Sequence, residues 1–263
     1  MGKRKKKDKE VFPYNIFDIH SLDLSKVDDI RGLPKDLLID PKRLEIEVLP
    51  QLGLNNEVVN EFPESLSGFF GSGLQYWQYP NQFSKYLVHL SKYKIESYLE
   101  IGVRHGGTFI ITLEYLNRFN KVKRALGIDI ADSSGSLNEY KEKYNPNIEF
   151  MRVESQNRLF KRSLEEKHKG FDLALIDGDH SYWGCRNDFE ALKELAHIIV
   201  FHDICNYAVP EVNDLWIELK DELSSEFNFY EFTDQYKSIQ DKGEYYLGIG
   251  VMVDKGFDFI YGD

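Results

Sequence analysis

The sequence predicts an α/β protein: a doubly wound, mostly parallel seven-stranded sheet with an antiparallel edge pair and an N-terminal cap. Three observations carry this. From about residue 82, short apolar runs alternate with helix-length amphipathic segments, the pattern of parallel strands joined by right-handed crossovers. The last two strand-like runs, 227–232 and 245–253, leave no room for a helix between them and so are expected to pair antiparallel. Six of the eight prolines (Pro13, Pro34, Pro41, Pro50, Pro63 and Pro80) precede the regular region, where they permit only short helices.

Taken in order, residues 1–10 form a basic tail with six basic and two acidic side chains, read as a solvated, disordered terminus; contact with an anionic partner or a nuclear address is the other reading. Residues 11–82 form the cap, with one or two short helices within 44–62 and an irregular aromatic loop at Gly68, Phe69, Phe70, Gly71 and Gly73. Residues 83–263 form the main domain. An amphipathic helix at 83–93 leads into strands near 97–102, 124–129, 148–153, 171–176 and 197–202, separated by helices near 107–119, 137–144, 157–168 and 184–196. A helix at 210–224 precedes the edge pair. Ligands of such a sheet sit at the carboxyl ends of its strands.

Composition narrows the function. The chain has 263 residues, 42% apolar, with 18 Phe and 16 Tyr, enough for one sizeable core plus an extension. The net charge of −11 becomes −15 once the tail is set aside, and a body that acidic repels a phosphate backbone, so nucleic acid is not expected as the main substrate. No apolar run approaches the roughly 18 residues that cross a bilayer, and no apolar signal core follows the basic start. The expectation is a cytoplasmic protein with no membrane partner, with homo-oligomerisation left open. Cys185 and Cys205 lack CxxC spacing and are read as reduced and structural.

The most informative segment is 100–108, where the first strand turns into the first helix. Gly102 allows a tight turn, and Gly106 and Gly107 allow a ligand to approach the backbone near the unpaired N–H groups of a helix start. A dinucleotide fingerprint would need glycine where Arg104 stands, and no Gly-Lys-Ser/Thr of a P-loop follows. Glu100, two positions before the first glycine, suits a cationic, phosphate-free ligand. Asp129 ends the second strand, where it can bind both hydroxyls of a ribose or simply cap a helix.

In these residues the chain resembles the class I S-adenosylmethionine-dependent methyltransferases, whose first motif is E-x-G-x-x-x-G-x-S/T: Glu100, Gly102, Gly106 and Thr108 match it, and Asp129 matches the acidic end of the second strand. The resemblance covers about residues 83–254 and implies a Rossmann-like domain. It further implies that Glu100 and the glycine turn hold the methionine moiety, that Asp129 holds the ribose, and that 153–157, with Ser155 the best candidate, borders the adenine.

A second cluster follows. Asp177, Asp179 and His180 leave the fourth strand, and His202 and Asp203 leave the fifth, at the edge where the ligand belongs. Carboxylates and imidazoles converging there can hold a divalent cation, which lowers the pKa of a bound hydroxyl while a histidine takes its proton. The cluster is similar to that of metal-dependent small-molecule O-methyltransferases. The resemblance implies Asp177 and Asp203 as ligands of magnesium, Asp177 also at the cofactor, and His180, with Asp179 auxiliary, as the base; His202 is read either as a third ligand or as orienting a neighbouring carboxylate. His202 departs from the usual carboxylate. The run 177–182 with His202-Asp203 is closer to the macrocin and cephalosporin-hydroxylase-like branch than to the catechol branch. The function expected is O-methylation of a small-molecule or sugar hydroxyl. The alternatives are a metal-independent methyltransferase, a hydroxylase or hydrolase using the same site, and an inactive binding or assembly protein.

Simpler roles compete at several positions. Asp179 serves equally as a helix cap, His105 as an exposed or packing residue, and Arg104 as a surface or lid residue. The aromatics around Trp77 read first as core and second as a pocket cover, and Val212, Leu215 and Trp216 read as packing.

Overall fold

The computed structural model describes residues 20–57, 59–157, 160–162, 164 and 170–257. The basic tail and most of the helix expected at 157–168 lie outside these. The strands are β1 (Ser97–Ile101), β2 (Arg124–Asp129), β3 (Ile148–Arg152), β4 (Phe171–Ile176), β5 (Ala196–His202), β6 (Phe227–Phe232) and β7 (Ile249–Asp254). They form one seven-stranded sheet in the order β3-β2-β1-β4-β5-β7-β6, parallel through β5 and antiparallel where β7 inserts between β5 and β6. This is the doubly wound α/β architecture the sequence predicts.

Alternation along each strand divides the interior between two faces. Tyr98, Leu173, Leu175, Ile198 and Val200 face one core, shared with the N-terminal region. Leu99, Ile101, Ala174, Ile176, Ile199 and Phe201 face the other, beneath helices Tyr182–Leu192 and Pro210–Leu223. Val212, Leu215 and Trp216 are buried there, as their helical spacing predicts.

Helix Gly107–Asn117 is apolar nearly all round because it is covered on both sides, by the sheet and by the N-terminal region. Helix Lys26–Gly32 packs on it. Arg31 anchors the contact by donating from Nε and Nη2 to buried Glu114, at 2.7 and 2.9 Å, while the Tyr140 hydroxyl donates to the same carboxylate. A buried carboxylate is tolerated only with such partners.

Several boundaries differ from expectation. Strand β7 starts at Ile249 rather than 245, because Leu247 (φ 58°) and Gly248 (φ 102°) break the extended backbone. The helix expected at 184–196 spans Tyr182–Leu192, since β5 begins at Ala196. The cap holds short helices and single turns, and its aromatic loop is tied down where Leu54 bridges Phe70 and Tyr76.

Candidate functional site

At the carboxyl ends of β1, β2, β4 and β5 lies a cavity of about 800 Å³. Glu100, Gly102, Thr108, Asp129, Ser155, Asp177, Asp179, His180, His202 and Asp203 all line it; of the residues the sequence singled out, Gly106 does not. Gly106 instead stands at φ 94° just before helix Gly107–Asn117.

Register explains the convergence. Ile101 pairs with Ile176, so Gly102 meets Asp177, and the Asp177 N–H donates to the Ile101 carbonyl at 2.8 Å. A Cβ on Gly102 would lie 1.9 Å from the Asp177 carbonyl oxygen, so this glycine is required by the neighbouring strand as well as by any ligand. Gly107 is required by the cap, since its Cβ would lie 2.0 Å from the Leu74 carbonyl oxygen.

Glu100 is buried beside Tyr98, whose hydroxyl donates to it. Burial pushes its carboxyl up to about 8 against that hydrogen bond. Asp129 accepts from the Arg104 N–H at 2.6 Å and the Ala131 N–H at 2.7 Å, yet burial still holds its pKa above the usual value.

Between β4 and β5, His180 Nε2 lies 3.1 Å from both Asp177 Oδ1 and Asp203 Oδ2, and His202 Nδ1 lies 2.9 Å and 3.3 Å from the same two atoms. One donor atom from each of the four residues falls within 4.8 Å of the others. Although Nδ1 lies close to the carboxylates, neither buried ring nitrogen of His202 makes an aligned hydrogen bond, which leaves the ring available as a ligand. The residues therefore fit a divalent cation. Without one, burial opposes the charged His180 ring, but Asp177 and Asp203 outweigh it and raise its pKa to about 10; His202 is raised by the same pair.

Asp179 is placed differently. It is exposed, its Oδ1 accepts from the Ser181 N–H and its Oδ2 from Gln156, and it lies over Gly184 at the start of helix Tyr182–Leu192. The cap of that helix is Ser181, which accepts from the Gly184 N–H at 3.1 Å.

Several lining residues escaped the sequence reading. Asn206 donates to Asp203 Oδ1 at 2.7 Å, a partner its spacing three residues after Asp203 could have suggested. Asn55 and Gln75 of the cap, with Tyr246 of the loop before β7, line the cavity without any periodic signal. Trp77, half-buried, donates from Nε1 to the Tyr246 hydroxyl at 3.3 Å and covers the cavity, whereas Tyr76 and Tyr79 are core. Of the two readings for His105, exposed or packing, the second holds, and Arg104, read as a surface or lid residue, lines the cavity paired to the cap. Arg104 Nη2 donates to both oxygens of Glu57, and buried His105 accepts from the His20 N–H at 3.1 Å. Among the described residues, the non-glycine positions with positive φ, Gln75, Arg104, Asp203 and Leu247, all line this cavity. Such strained backbone collects at functional sites.

Residues 99–204 match a family model described as a methyltransferase domain. An uncharacterised protein of Acanthamoeba polyphaga mimivirus is 28% identical over 147 residues, 51% of this chain and 65% of that protein's length. Among solved structures, an O-methyltransferase from Bacillus cereus in complex with S-adenosylhomocysteine is 15% identical, with a TM-score of 0.48, covering 88% of this chain and 96% of its own. The O-methyltransferase TomG from Streptomyces achromogenes, in complex with S-adenosylmethionine, is also 15% identical, with a TM-score of 0.49 and coverage of 68% and 82%. The strand order is that of a doubly wound, mostly parallel α/β sheet, and within it residues 99–204 are similar to a methyltransferase domain.

Proposed function

We propose that this protein is an S-adenosylmethionine-dependent O-methyltransferase acting on a small-molecule or sugar hydroxyl. The observation that carries the reading is one cavity in which Glu100, the glycine turn and Asp129 adjoin the Asp177, His180, His202 and Asp203 cluster. In this reading Glu100 faces the cationic methionine end, Asp129 the ribose and Ser155 the adenine side. The cluster stands where the acceptor meets the methyl group, and Trp77 and Tyr246 exclude water.

A divalent ion at the cluster would lower the pKa of an acceptor hydroxyl. Asp177, His202 and Asp203 would hold it, and His180 stands within reach as a fourth ligand or, once the ion engages the carboxylates, as the base. Two imidazoles tilt the donor set from magnesium toward a first-row transition ion. Asn206 fixes the Asp203 carboxylate. Methyl transfer itself then needs alignment of the acceptor oxygen with the methyl carbon and sulfur.

Calorimetric titration of S-adenosylmethionine tests the cofactor. Asp129→Ala is expected to weaken binding by about 1–3 kcal/mol, the cost of an unpaired polar group; no binding to the wild type would sink the proposal. Thermal melts test the ion. Manganese or magnesium at about 100 times its dissociation constant should stabilise the wild type by about 2.7 kcal/mol. The double variant Asp177→Ala, Asp203→Ala should show no such gain, and an equal gain in both would remove the metal from the reading.

A further inference from the structure

Among the described residues, the cavity is lined by seven carboxylates and by one permanently cationic side chain, Arg104. S-adenosylmethionine carries two positive groups and one negative one, its α-carboxylate. The acidic lining suits the sulfonium and the ammonium. The carboxylate instead needs donors within that acidic lining.

Two buried donors without partners stand in the wall where the cap meets the glycine turn. Asn55 is 2% exposed. Its Oδ1 accepts from the Glu57 N–H at 2.8 Å and its backbone N–H is bonded to the Tyr76 carbonyl, so the side chain is fixed, but Nδ2 has no partner. Arg104 is held at φ 43° by Asp129 on its N–H and Ser133 on its carbonyl. Glu57 engages only its Nη2, and Trp77 lies against the guanidinium at 5.6 Å; Nε is buried and unpaired. A buried N–H without an acceptor costs about 1–3 kcal/mol. Two of them, both tied to Glu57 in the wall of one cavity, call for an oxyanion.

Resting on the cofactor reading above, we propose that Asn55 of the cap, assisted by Arg104, binds the α-carboxylate of S-adenosylmethionine. The N-terminal region is then part of the cofactor site, and the ligand itself joins the cap to the sheet domain. Glu57 serves as the positioning residue, locking the Asn55 amide through its N–H and the guanidinium through its carboxylate.

The test compares S-adenosylmethionine with its decarboxylated form, which lacks only that carboxylate, by calorimetry on the full chain. The wild type should bind S-adenosylmethionine at least about tenfold more tightly, as expected for hydrogen bonds to a charged group. Asn55→Asp keeps the acceptor for the Glu57 N–H and exchanges the free donor for a negative oxygen. It should weaken S-adenosylmethionine by about tenfold or more while the decarboxylated ligand binds as in the wild type or better. Equal loss of both ligands, or loss of neither, overturns the assignment. The wild-type ratio stands independently should the variant not fold, and a ratio below about threefold also overturns it. Wild-type binding of neither ligand overturns the cofactor reading, and this assignment falls with it.

Discussion

Gly102→Ala is expected to cost more than about 4 kcal/mol, a loss confined to a few severe mechanisms. The added Cβ would lie 1.9 Å from the Asp177 carbonyl oxygen, 2.4 Å from its carbon and 2.9 Å from the Gly178 nitrogen. All three are backbone atoms, so no side chain can swing aside. The residue also sits at φ 91°, which strains any residue with a side chain. Relief requires β1 and β4 to part at the centre of the sheet, where each is paired on both sides. Gly135→Ala is the matched control. It lies in helix Ser134–Lys143, and nothing lies within 4 Å of its Cβ position, so the change should be neutral or stabilising by up to about 1 kcal/mol. Urea unfolding of the three proteins decides the matter. A Gly102→Ala protein within about 1 kcal/mol of wild type would mean that the turn relaxes more easily than its packing implies.

The second large effect is a pH dependence centred on Glu100. Its folded carboxyl, raised by burial to about 8, titrates well above its unfolded value of 4.5. Below the unfolded value both states hold the proton, and the contribution to stability is fully present. As pH rises from 4.5 through 8 the unfolded chain has released a proton that the folded chain retains. The folded state loses about 1.4 kcal/mol per pH unit, accumulating to about 4–5 kcal/mol above pH 8. Other groups titrate in the same range, so the measurable quantity is the difference between wild type and Glu100→Gln. The glutamine variant should gain on the wild type steadily from pH 5 to about pH 8 in urea melts and level off above that. Parallel curves would show that Glu100 keeps an ordinary pKa. Because a cationic ligand favours the carboxylate, cofactor binding near neutral pH should release a proton, visible as heats that change with the ionisation enthalpy of the buffer.

Much of this arrangement is legible in the sequence because it repeats at fixed intervals. Short apolar runs at β1, β4 and β5, separated by helix-length segments, mark the sheet, and the rule that ligands lie at the carboxyl ends of parallel strands places Asp177, His180, His202 and Asp203 together. The misjudged parts depend on chain paths that carry no period. Strand β7 begins late because Leu247 turns out of the extended region, which the hydrophobicity of Leu247 and its neighbours does not reveal. Asn55, Gln75 and Trp77 reach the cavity only through the irregular, proline-interrupted path of the cap. The role of Arg104 is hidden because its partner, Glu57, lies 47 residues away in sequence.

The left-handed backbone at Gln75, Arg104, Asp203 and Leu247 has a consequence for any attempt to harden this protein against heat. Strained positions of this kind each cost of order 1–3 kcal/mol, and glycine or asparagine would relieve much of it. Selection for thermostability alone would therefore drift toward replacing these residues, which surround one cavity, and would erode that cavity while the rest of the fold improved. In a library screened only by melting temperature, these four sites should be kept fixed.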